Sequence, residues 1–140
     1  REEGIEQLFL ENPILFSQKL LAGREKQYLI ASQSNDSLIF FDRGIPDIHA
    51  YMNFLGTTYT DEFVAKSNLY LYDQVFMLSP WEEIYASDNE RYETFEQAVQ
   101  IDKYLRSAYQ EIGYKIIDVP FGSIEERCNF IVESLKNNGI

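Results

Sequence analysis

Asp42 and Arg43 stand side by side at the end of an apolar run, in the stretch SLIFFDRGIPD that covers residues 37–47. A carboxylate placed there can hold a magnesium ion through water, or take a proton from an attacking hydroxyl. A guanidinium beside it can clamp a phosphate or fix an acidic partner. A plainer role fits the same residues: Asp42 caps the helix that follows, and Arg43 pairs with a surface acid. Spacing alone does not choose between the two, because an apolar run ending in Asp is common.

Other side chains are candidates of the same kind. Arg91 sits in an acid-rich stretch ahead of a helix start, where a mobile arginine can close over a phosphoryl group; the alternative is a solvated arginine balanced by Glu90 and Glu93. Trp81 follows a strand end and can stack on a substrate ring or cap a core. His49 falls off the apolar stripe of its helix, which predicts a surface histidine. Cys128 is expected on the buried side of the last helix, as an inert thiol.

The elements that position these residues follow from caps and periodicity. Asn12-Pro13 predicts a helix start, with the helix running to about Ala31. Leu38–Asp42 reads as a short buried strand. Pro46 opens a second helix with Ile48, Tyr51, Met52 and Leu55 on one stripe, ended by Gly56. A third helix is expected over Asp61 to Tyr70, and a strand over Asp73–Ser79. Thr94 and Gln97 form a capping box that starts a long helix closed by Gly113. Tyr114–Val119 is the third expected strand. Ser123 and Glu126 form a second capping box, opening a final helix to about Lys136. Strands alternating with helices predict an α/β protein with a parallel sheet, whose ligands sit beyond the carboxyl ends of the strands. Asp42, Arg43, Ser79, Trp81, Pro120 and Gly122 all fall at such ends.

Composition bounds the partners. The 140 residues carry a formal net charge of −11, which opposes a nucleic-acid coat but not a small phosphate ligand held by a few cations or amides. One cysteine and one histidine exclude a disulfide framework and a multi-histidine metal cluster within one chain. No run approaches the roughly 20 apolar residues of a membrane span, no signal peptide is visible, and a cytoplasmic setting is expected. No internal repeat or domain boundary is seen, so residues 1–140 read as a single domain.

Taken in order, FFDRGIPD, VFMLSPWEEIY, NERYETFEQA and GYKIIDVP resemble the ATPase/kinase family of the P-loop NTPases, the AAA-labelled group related to the ribosylnicotinamide kinase domain. The resemblance runs from about Asn12 to Leu135. It implies a three-layer α/β/α parallel sheet of the P-loop nucleoside-kinase type, binding ATP with Mg2+. It also implies that Asp42 and Arg43 are the acid–arginine pair facing phosphate transfer, with Asp42 the metal-side carboxylate, and that Arg91 is the lid arginine. It places the adenine at the loop of Pro120, Gly122 and Ser123. Asp47 and Trp81 match recurring family positions and are carried as substrate-side residues.

The sequence departs from that family in one respect. It contains no G-x-x-x-x-G-K-[ST] motif, the loop that wraps phosphates in backbone amides, a lysine and a magnesium-binding hydroxyl. The first strands are then missing from the sheet, and Leu38–Asp42 and Asp73–Ser79 would flank an empty slot. The 140 residues are therefore expected to be the C-terminal three-quarters of a domain, or to take the first strand from another copy in a homo-oligomer. Two functions follow. One is an ATP-dependent phosphotransferase or ATPase acting on a small molecule. The other is a degenerate kinase-like binding module without catalysis.

Overall fold

The computed structural model describes residues 12–81 and 94–137. Helix α1 spans Pro13–Ser32, and the Asn12 side chain accepts the Leu15 N–H at 3.1 Å, one of the donors a helix start leaves without a partner. Helix α2 spans Pro46–Leu55, and Gly56 ends it at φ 71°, a backbone favouring glycine. Helix α3 spans Glu62–Leu69. Helix α4, Phe95–Ile112, starts on the full reciprocal capping box of Thr94 and Gln97 and ends at Gly113 with φ 113°. Helix α5, Ile124–Asn137, starts on the second box: Ser123 N–H donates to Glu126, and Glu126 N–H donates to the Ser123 hydroxyl.

Two strands form the sheet among the described residues. β1 (Val75–Met77) runs parallel to β2 (Ile116–Asp118), with Val75 opposite Ile116 and Met77 opposite Asp118. Val119 N–H donates to Met77 C=O at 3.0 Å and extends the pairing. The described residues are thus mixed and mainly helical, with a small parallel sheet, which agrees with the α/β expectation.

Three expectations change. Leu38–Asp42 enters no ladder, and Leu38, Ile39 and Phe40 are exposed, Phe40 by 65%. A strand needs a neighbour for its N–H and C=O groups, and among the described residues none lies beside this segment. His49 is buried, 2% exposed, because α2 is packed on more than one side: α1 and α3 meet it, and α4 makes its most extensive contact. Cys128 is exposed rather than buried, since α5 buries only Leu135.

Among the described residues two clusters make up the packed core. Leu21, Ile45, Ile48, Met52 and Phe63 join α1, α2 and α3. Val75, Met77 and Tyr109 join the sheet to α4, with Leu105, Tyr114 and Ile116 at their edge. Each such side chain withdrawn from water contributes roughly 1.5–3 kcal/mol. Among the described residues no helix is long and apolar enough to cross a membrane.

Candidate functional site

The turn after the Leu38–Phe41 stretch is held by hydrogen bonds from three other parts of the chain. Arg43 has φ 75°, the one non-glycine in the left-handed region there. An L-residue in that conformation costs roughly 1–3 kcal/mol and persists where its surroundings over-determine it. The surroundings are specific. Gly44 N–H donates to Asp47 Oδ1 at 3.1 Å, and Arg24 Nη1 donates to Gly44 C=O at 2.8 Å. Ile45 N–H donates to the Tyr72 hydroxyl at 3.1 Å. The Tyr109 hydroxyl donates to the same Asp47 oxygen. Helix α1 braces the assembly one turn apart, since Tyr28 also donates to Leu71 C=O at 2.6 Å.

Sequence explains part of this cage. Pro46 cannot donate, and Ile45 offers no side-chain cap, so Asp47 in the first turn of α2 supplies the acceptor for the turn. Gly44 is required sterically. A Cβ there would sit 2.5 Å from the Tyr109 hydroxyl and 3.0 Å from the Tyr72 ring. The Tyr109 hydroxyl is held firmly protonated, by burial first and by Asp47 next. Burial likewise pushes the Tyr72 hydroxyl up.

Asp42 and Arg43 themselves are exposed. Arg43 lies 6.0 Å from the centroid of the Tyr51 ring, a cation–π distance. Burial works against its charge, but Tyr51, Asp47 and Asp42 outweigh that and keep the guanidinium protonated. Asp47, by contrast, is 7% exposed and committed to the turn. Arg91 lies outside the described residues.

A second group follows the strands. Trp81 and Phe121 stack at 5.1 Å with their rings 8° from parallel, which joins the segment that follows β1 to the Pro120–Ser123 loop. Phe121 is exposed, as are Pro120 and Ser123, while Gly122 is half-buried. Beside them Arg106 of α4 donates to Asp102 at 2.9 Å, to Ser79 at 2.7 Å and to Asp118. Asp118 holds the Arg106 guanidinium protonated, and Arg106 pulls the Asp118 carboxyl below its usual range.

The structure brings Asp42, Arg43 and Asp47 into one turn, and Trp81 against the Pro120–Ser123 loop. It does not unite the two groups. The turn packs against Tyr72 and Tyr109, and Tyr72 precedes β1 and bonds Tyr114, which precedes β2, whereas Trp81 and Phe121 follow the strands. The expected common edge required Leu38–Asp42 to be a strand of the same sheet, across the slot of the missing first strand from β1, and among the described residues it joins no sheet. Sequence reasoning missed Arg24, Tyr72, Tyr109 and Arg106. Tyr109 had a signal, because it lies four residues after Leu105 on the inward stripe of α4, and Asp102 and Arg106 are an i, i+4 pair. Arg24 and Tyr72 had none, since only tertiary packing brings them to Gly44.

Comparison with known proteins adds one finding. A family model described as an AAA domain matches residues 1–127. Nothing among curated proteins matches the chain, and nothing among solved structures does.

Proposed function

The chain belongs to the AAA domain family, and on that premise we propose that it binds ATP and either transfers a phosphoryl group to a small molecule, as nucleoside kinases do, or hydrolyses the nucleotide. The observation that carries this reading is the Asp42–Arg43–Gly44 turn: an acid and an arginine exposed together on a strained backbone held by a buried cage. Strain of this kind gathers at functional sites. Phosphoryl transfer asks the protein mainly for positioning and electrostatics, which such a turn supplies.

Asp42 acts as proton acceptor or metal-side carboxylate, and Arg43 and Arg91 supply the positive charge that stabilises the transferring phosphate. Mg2+ takes one or two carboxylates and completes its shell with phosphate oxygens and water, so one exposed carboxylate suits it. Among the described residues no cluster of three or more His, Cys, Asp or Glu offers a protein cage instead. Bound Mg-ATP would supply the phosphoryl group and neutralise its charge. Pro120, Gly122 and Ser123, with Phe121 and Trp81, form the ledge for the nucleobase. We place residues 1–140 in one P-loop NTPase-type domain of a cytoplasmic protein whose partners are nucleotides and small molecules.

One observation favours the second reading, a kinase-like binding module without catalysis: the turn and the aromatic ledge lie at opposite ends of the strands. Two measurements separate the readings. ATP turnover is expected to fall at least about 100-fold in Asp42→Asn, the scale of general acid–base catalysis; unchanged turnover removes Asp42 from the reaction. Calorimetry with Mg-ATP is expected to give binding near −8 kcal/mol, a micromolar affinity. No heat at millimolar nucleotide sinks both the kinase and the ATPase.

A further inference from the structure

We infer that Asp47 and Tyr109 are positioning residues that set the backbone carrying Asp42 and Arg43, an inference that rests on the reading of that turn as the phosphate-facing one. The Asp47 side chain lies too deep for a ligand, at 7% exposure, and Tyr109 is buried at 5%. Their shared bond is therefore made to the protein itself. One carboxylate oxygen, Asp47 Oδ1, receives both the Gly44 N–H and the Tyr109 hydroxyl.

That arrangement couples helix α4 to the turn across 62 residues of sequence. If the oxygen moves, the Gly44 N–H is left buried without a partner, and the constraint on Arg43 relaxes. The hydroxyl also acts as a wall, because it occupies the space that a side chain at position 44 would need. Arg24 and Tyr72 hold the Gly44 carbonyl and the Ile45 N–H, but neither fixes the peptide between Arg43 and Gly44 from its N–H side. Among the described residues Asp47 alone does that, and Tyr109 orients Asp47. Ring packing of Tyr109 against Val75 and Met77 is independent of its hydroxyl, so Tyr109→Phe removes the bond and keeps the core.

The test uses the whole chain and two readouts. Amide hydrogen exchange, followed by NMR, is expected to quicken at least 10-fold at Gly44 in Tyr109→Phe, with the amides of mid-α4 unchanged. Equal exchange in the two proteins overturns the inference. Asp47→Asn keeps an acceptor oxygen at the same place and is expected to change Gly44 exchange less than 3-fold; a larger change than in Tyr109→Phe would assign the effect to charge and overturn it. In ATP turnover, Tyr109→Phe is expected to lower kcat about 10-fold with KM within 2-fold. Met52→Leu, which alters a buried side chain of the same helix nearly two turns beyond Ile45, should leave kcat as it is. Quickened exchange with an unchanged kcat would make the pair structural and overturn the positioning role. Absence of turnover by the unaltered protein counts against the proposed function, and the exchange arm then decides the coupling by itself.

Discussion

Two adjacent segments of this chain reverse what hydropathy alone would say about them. Leu38, Ile39 and Phe40 are apolar and exposed, while every residue from Gly44 to Ala50 is buried, including Asp47 and His49. The difference is one of partners. The buried segment starts a helix that α1, α3 and α4 enclose, and its polar groups find Arg24, Tyr72 and Tyr109. Among the described residues no strand lies beside the exposed segment, and its apolar side chains are left uncovered by them. Burial follows from what the fold brings alongside, and apolar character only makes it favourable when it happens.

The largest effect that could break this comparison comes from truncating one phenylalanine on each side of it. Phe63→Ala, at a site 1% exposed and packed against α2, is expected to cost about 3–5 kcal/mol in urea unfolding. Phe40→Ala is expected to stay within about 0.5 kcal/mol. Comparable losses would mean that the apolar stretch is covered in solution.

Next in size is a pH effect. Burial depresses the basicity of His49, against the opposing pull of Glu111 and Asp47, and its Nδ1 has no hydrogen-bond partner among the described residues. The folded state therefore binds this proton less readily than the unfolded state. Stability is complete above the unfolded value near 6.5 and declines as pH falls below it, by at most about 1.4 kcal/mol per pH unit. Denaturant midpoints measured from pH 7.5 to 5 check this, and His49→Gln should flatten the slope between pH 6.5 and 5. An unaltered slope would show that His49 is not the group responsible.

The smallest effect concerns the opposite end of the strands, where ion pairs replace buried bonds. Arg106→Gln loses its contacts with Asp102 and Asp118, but the site is partly open to solvent. A loss of about 1 kcal/mol or less is expected, shrinking as salt is raised. A loss of several kcal/mol that ignores salt would mark this network, rather than the turn, as the rigid part of the molecule.

The sequence by itself determined the local structure. Asn12 before Pro13, Pro46 to Gly56, Thr94 with Gln97, and Ser123 with Glu126 each place a helix end, because a cap satisfies its donors within three or four residues. The Asp42–Arg43 pair and its glycine were legible for the same reason: their chemistry is written in neighbouring residues. Tertiary structure alone decided the rest. Val75–Met77 and Leu38–Phe41 are both short apolar runs, and among the described residues only the first finds a parallel neighbour. His49 left the stripe of its own helix and was still buried, because a helix packed on more than one side has more than one inside. Arg24, Tyr72 and Tyr109 reach Gly44 and its neighbours from 20, 27 and 62 residues away, distances over which no cap or period carries information. Local hydrogen bonds can be read from spacing; long-range ones exist only after the chain has closed upon itself.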